Sequence, residues 1–186
     1  MKKKWWVIGL LALFISLFFD ELIVKYIESS RVFGLNEFIT GFSIWTNGFF
    51  SLIVIGLILL YYKRKLILGY LIGFGVVGAI AYLLKIAIRR ARPFETLNIV
   101  SLIPDKAGFS FPSGHAIFAF FCLGFIWKDF ERFRYVWLII AILIAFSRLY
   151  VGVHYLSDLI ASLIIGLFVG NLFRKKNIFK GLNFFK

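Results

Sequence analysis

The chain has 186 residues, a length that suggests one domain; 61% of them are hydrophobic and the mean hydropathy is +0.91. A water-soluble domain of this size cannot hide that much apolar surface, so the composition points to a bilayer as solvent. Lys and Arg number 22 against 9 acids, a net charge of +13 that would suggest nucleic acid in a soluble protein, but in so apolar a chain it reads as loop charge and no nucleic-acid partner is expected.

The chain opens with Lys2, Lys3 and Lys4 before a first apolar run, residues 5–19. This resembles a signal peptide, yet no small-x-small cleavage site follows and Asp20-Glu21 comes next, so it reads as a retained signal anchor. Residues 20–42 carry Asp20, Glu21, Lys25 and Glu28 at near-helical spacing among Leu22, Ile23, Tyr26 and Ile27, the pattern of an amphipathic helix lying on the outer surface. Further apolar runs follow at residues 49–62, 66–88, 113–127, 135–150 and 156–173. A helix needs about 20 residues to cross a ~30 Å core. The shorter runs therefore rely on flanking Trp, Tyr and Lys, or on local thinning of the bilayer. The expected fold class is all-α: an integral membrane bundle of six transmembrane helices with an amphipathic helix on the outer surface, one domain over residues 1–186. Gly69-x-x-x-Gly73 and Gly166-x-x-x-Gly170 read as close helix packing. Residues 95–111, with Pro104, Asp105 and Gly108, read as a loop bordering a site. Cys122, the single cysteine, lies in an apolar run and reads as a small core side chain; with two histidines in the chain it can build neither a disulfide framework nor a zinc cluster.

Charge placement orients the six runs. Lys2–Lys4, Lys63–Lys65, Lys128, Arg132, Arg134, Arg174, Lys175, Lys176, Lys180 and Lys186 fall on one side, against Lys25, Arg31, Lys85, Arg89, Arg90, Arg92, Lys106 and Arg148 on the other. The split of 14 to 8 places both termini in the cytoplasm and the second set on the periplasmic or exterior face of the cytoplasmic membrane. Cations crowded at helix ends on the disfavoured side point to function.

Three polar clusters then share one face: Lys85 to Pro93, Pro112-Ser113-Gly114-His115, and Ser147 to Asp158. Lys85 and Arg92 are seven apart, two helical turns, and reach one anion from two heights; Arg148 supplies a third cation, as a phosphoryl group requires. Pro112 suits a first helical turn, where the N–H groups of Ser113, Gly114 and His115 face an anion and the Ser113 hydroxyl adds a donor. His154 and Asp158 are four apart, so the carboxylate can fix the imidazole tautomer and leave the other nitrogen to attack. His115 remains to protonate the leaving oxygen. Taken singly, His154 with Asp158 is a helix-surface pair and Ser113-Gly114 a helix start; the joint pattern carries the assignment. Three cations would repel a metal, so neither metal nor other cofactor is expected. Arg89 and Arg90 read as headgroup anchors outside the site.

These clusters resemble the signature of the type 2 phosphatidic acid phosphatase superfamily: Lys-x6-Arg-Pro, Pro-Ser-Gly-His and Ser-Arg-x5-His-x3-Asp, complete and in order from Lys85 to Asp158. The resemblance implies a phosphohistidine on His154, an acid role for His115 and support by Asp158. It also implies phosphate binding by Lys85, Arg92, Ser113, Gly114 and Arg148. It further implies metal-independent hydrolysis of a membrane lipid phosphate, of the phosphatidylglycerol phosphate, undecaprenyl diphosphate, phosphatidic acid or lipid A 1-phosphate type, presented from the bilayer. A lipid-linked phosphotransferase using the same histidine, and a non-enzymatic anion-binding protein or transporter, are the competing readings. A transporter would place its broken helices at mid-membrane.

Overall fold

In lipid each backbone polar group must be satisfied within its own segment, so the apolar runs become helices. The structure, a computed structural model, describes residues 3–103 and 108–175, and these contain helices and no strand. In chain order they are α1 (Lys3–Ser29), α2 (Phe33–Trp45), α3 (Gly48–Tyr62), α4 (Ile67–Ile88), the short α5 (Pro93–Thr96), α6 (Gly114–Ile126), α7 (Glu131–Tyr150) and α8 (Leu156–Lys175). Lys2, Lys106, Lys176, Lys180 and Lys186, with Pro104 and Asp105, lie outside the described residues. Among the described residues α1, α4, α7 and α8 are each long and apolar enough to cross a membrane, and α2 with α3, bent by 63° at their junction, passes the same test as a pair.

The first run is longer than its hydropathy suggests. α1 carries straight on through Asp20 to Ser29, so residues 20–42 do not form one surface helix. Asp20 is 2% exposed, because its carboxylate finds donors on α8 and beyond α4 that sequence spacing cannot reveal. The chain breaks at residues 30–32 and restarts as α2, whose Phe33, Phe38 and Trp45 are exposed.

α6 is the axis of the bundle. It packs on α3, α4, α7 and most extensively on α8. Ala116, Ile117 and the whole run from Ala119 to Ile126 are buried. A helix apolar on every side belongs in a protein interior. At 13 residues it spans about 20 Å, short of the ~30 Å hydrocarbon core, and neighbouring helices shield it from lipid. Cys122 is one of its buried residues, 3.3 Å from the Tyr70 hydroxyl.

Glycines set the α6–α8 separation. A Cβ at Gly166 would stand 2.6 Å from the Ile117 carbonyl oxygen, one at Gly124 2.8 Å from that of Leu167, and one at Gly170 would collide with that of Phe121. Close backbone approach through small residues is how helices associate where lipid supplies no hydrophobic drive. Gly73 does similar work against the Phe121 and Phe173 rings.

Gly170→Ala therefore forces α6 and α8 apart, at about 1–3 kcal/mol for overpacking. The thermal unfolding midpoint in detergent should fall. Gly34→Ala, where a Cβ meets nothing within 4 Å, should leave it unchanged or slightly raised.

Candidate active site

The three polar clusters meet because α4 and α7 end where α6 and α8 begin. α4 terminates at Arg89, which takes the left-handed conformation (φ 49°) while its N–H bonds the Lys85 carbonyl at 2.9 Å. Arg92 is extended, as a residue before proline prefers, and its N–H donates to Glu95 Oε2 at 2.7 Å. Lys85 and Arg92 are therefore not two turns apart on one helix, as their spacing predicts. They are brought together by a turn, and the segment leading into α6 holds both. Lys85 Nζ donates to the Phe109 carbonyl at 2.6 Å, Arg92 Nε to that of Gly108 at 2.9 Å and Arg92 Nη1 to that of Val153 at 3.1 Å. Each cation keeps further donors for a ligand.

At α6, Ser113 is the N-cap and Pro112 precedes the helix rather than occupying its first turn. The Ser113 N–H, expected to face an anion, donates instead to Ser162 Oγ at 3.0 Å. The same hydroxyl lies 2.6 Å from the Asp158 carbonyl oxygen, one turn back on α8, so the starts of α6 and α8 are stitched together. Gly114 and His115 follow, both half-buried, and a side chain at Gly114 would meet nothing within 4 Å.

Arg148, near the end of α7, is 1% exposed, with Nη1 on Ser43 Oγ at 2.5 Å. The link to α8 turns at Gly152 (φ 83°), where a Cβ would meet Arg31 Nη2 at 2.9 Å. His154 is 3% exposed, and its Nδ1 lies 3.4 Å from Asp158 Oδ2, facing it without a well-aligned hydrogen bond. Asp158 is fully buried in the first turn of α8, where a carboxylate complements the helix dipole. Its Oδ2 accepts from the Tyr155 N–H at 3.0 Å and from the Ser110 hydroxyl.

Arg90 is not a headgroup anchor. Its guanidinium donates to Asp158 Oδ1 at 2.7 Å, Asp20 Oδ2 at 2.7 Å and Ser157 Oγ at 2.6 Å, and stacks 3.9 Å above the Tyr155 ring. Arg89, by contrast, is exposed. Among the described residues, Asp20, Ser43, Arg90, Ser110, Ser157 and Ser162 are polar residues around the site that spacing did not single out. Of these only Asp20, an acid at the outer end of an apolar run, and Arg90, one of the cations crowded after residues 66–88, carried a sequence signal.

The charges of Asp158, Arg148 and Arg92 act on His154, and those of Arg92, Asp158 and Arg148 on Lys85. Burial pushes the His154 imidazole down to about 4, against the opposing pull of Asp158, so the ring is neutral at physiological pH and available as a nucleophile. Among the described residues, Ser113 Oγ, Arg148 Nε and His154 Nδ1 are buried without a hydrogen-bond partner, one from each of three helix ends. The Ser113 and Arg148 donors, left so in a low-dielectric interior, suit an anion, whereas His154 Nδ1 faces the Asp158 carboxylate. No cluster of three His, Cys, Asp or Glu side chains able to hold a metal ion occurs among the described residues.

A family model described as the PAP2 superfamily matches residues 65–178. An undecaprenyl-diphosphatase of Sulfolobus acidocaldarius is 26% identical over 187 residues, covering 92% of this chain and 90% of its own. Phosphatidylglycerophosphatase B of Bacillus subtilis is 31% identical over 163 residues, covering 80% and 78%. Among solved structures, a transmembrane PAP2-type phosphatidylglycerolphosphate phosphatase from Bacillus subtilis superposes with a TM-score of 0.74 at 26% identity, covering 96% of this chain and 98% of that one.

His154 offers a direct check on this electrostatic setting. In the unfolded chain a histidine protonates near 6.5; in the fold this one protonates near 4. Stability should therefore fall as pH drops from about 6.5 towards 4, because the unfolded state takes up the proton first. In nitrogen-15 histidine NMR spectra, the ring signal lost in His154→Ala should stay neutral to near pH 4; a midpoint near 6.5 would contradict the burial described.

Proposed function

The chain belongs to the PAP2 superfamily, and from that premise we propose that this integral membrane phosphatase hydrolyses a lipid phosphate monoester or diphosphate through a phosphohistidine on His154. The reading is supported above all by the buried donors of Ser113 Oγ and Arg148 Nε, drawn from two helix ends and lacking partners, together with the His154–Asp158 pair. Lys85, Arg92 and Arg148 bind the phosphoryl oxygens, with the Ser113 hydroxyl and the Gly114 N–H. Because Nδ1 of His154 faces Asp158, Nε2 is the attacking atom. A nitrogen–phosphorus bond forms as the bond from phosphorus to the lipid-side oxygen breaks, and His115 gives that oxygen its proton. Water, losing a proton to His115, then attacks phosphorus; the nitrogen–phosphorus bond breaks, His154 is regenerated and inorganic phosphate leaves. No metal or other cofactor enters these steps.

Six crossings carry this chemistry in our reading: α1, α2 with α3, α4, α6, α7 and α8, as one domain over residues 1–186, with the exposed aromatic side chains of α2 lying in the outer interface. Both termini then face the cytoplasm and the site opens to the periplasm or exterior of the cytoplasmic membrane. The substrate head reaches the cations from the outer leaflet while its chains stay in lipid. Undecaprenyl diphosphate and phosphatidylglycerol phosphate are the first substrates to try, since relatives covering most of this chain are named for them. Phosphatidic acid and lipid A 1-phosphate complete the set.

The test is phosphate release from that panel by the purified protein in detergent. His154→Ala should lower turnover by at least about 1,000-fold with folding intact, because the nucleophile is gone; turnover close to wild type would reject this role. Asp158→Asn should lower kcat by about 10- to 100-fold through misorientation of His154. Orthovanadate should inhibit as a five-coordinate mimic of the transition state, and EDTA should leave the rate unchanged.

A further inference from the structure

Asp158 must hold His154 steady, yet it meets the ring across 3.4 Å without good alignment. Something else has to fix the carboxylate. Its Oδ2 is held by the Tyr155 N–H and the Ser110 hydroxyl, both within the segments that carry the site. Its Oδ1 is held by Arg90, at 2.7 Å. Arg90 is in turn fixed from the far side by Asp20 of α1, also at 2.7 Å, and from below by the Tyr155 ring at 3.9 Å. Asp20 has further anchors: its Oδ1 accepts from the Ser157 N–H at 2.9 Å and its Oδ2 from the Ser157 hydroxyl. One guanidinium thus joins two buried carboxylates from helices 138 positions apart in the chain, Asp20 and Asp158, while Asp20 also caps the first turn of α8.

We propose that Arg90 and Asp20 are positioning residues for the His154 nucleophile, acting through Asp158, so that α1 completes the active site as well as anchoring the chain. This rests on the hydrolytic reading above. Arg90 suits the task because its planar fork addresses two carboxylates at once, which a lysine ammonium, a point charge, matches only in part. The arrangement also explains two oddities of the chain: a buried acid in the first helix, and a third cation within three residues of Arg92. Neither touches the phosphoryl site, and each serves the group that orients the nucleophile.

A merely structural tie between α1 and α8 would alter stability alone, so the test reads catalysis separately. Arg90→Ala, Arg90→Lys and Asp20→Asn are compared with wild type and His154→Ala for kcat, KM, detergent unfolding midpoint and the pH dependence of kcat/KM. Arg90→Ala should lower kcat by about 10- to 100-fold with KM changed less than about twofold, as loss of an outer partner of an active-site ligand does. Asp20→Asn should lower kcat less, and Arg90→Lys should recover part of the loss. His154 faces Asp158 on α8, Arg92 after α4 and Arg148 on α7. Removing Arg90 strips a cation from Asp158, the one carboxylate of that set, so His154 should protonate more easily and the acid limb of the profile should move to higher pH. Turnover of Arg90→Ala within about twofold of wild type, or a loss that follows the unfolding midpoint with the acid limb unmoved, would overturn the proposal. If His154→Ala also turns over, the hydrolytic reading itself fails; if it is dead and Arg90→Ala is unimpaired, only this inference does.

Discussion

A carboxylate with no exposed surface is the constraint around which this end of the molecule is arranged. Asp158 is fully buried, and an ionised group there is tolerable only when its oxygens are paired or hydrogen-bonded. Ser110, Tyr155 and Arg90 meet that demand, and each brings a different stretch of chain with it. Ser110 fixes the segment entering α6, Tyr155 closes the first turn of α8, and Arg90 imports Asp20 from α1. Removing any one partner would leave a buried charge short of a donor, which costs more than the interaction is worth in isolation.

The position of this carboxylate depends in turn on how closely α6 and α8 can approach. Gly124, Gly166 and Gly170 let the two backbones touch, and Ser162 then ties the Ser113 N–H to the turn that carries Asp158. A wider separation would break that link and move the start of α6 away from His154. The short, largely buried α6 is thus the rod against which the site is set.

Helix termination does the remaining placement. Arg89 ends α4 in a left-handed conformation unusual for a residue with a side chain, and Pro93 keeps Arg92 extended. The chain therefore doubles back just where a continuous helix would have carried Arg92 past Lys85. Gly152 performs the matching turn between α7 and α8, admitting the Arg31 guanidinium where a side chain would stand.

Much of this was legible in residue order. Apolar runs at residues 66–88 and 156–173 anticipate α4 and α8 to within about two residues, because helix formation in lipid follows local hydropathy. The residue types and spacing at Lys85, Arg92, Ser113, Gly114, His115, Arg148, His154 and Asp158 could likewise be read from residue order alone. Local spacing could not show that α1 continues through Asp20, that the Ser113 N–H is already engaged, or that Arg90 faces inward while Arg89 faces out. Those outcomes turn on partners 137, 49 and 68 positions away: Ser157 for Asp20, Ser162 for Ser113 and Asp158 for Arg90. Periodicity reports which face of one helix a residue occupies; only the packing of several helices decides what that face meets, because a buried charge takes its place from the partner that neutralises it.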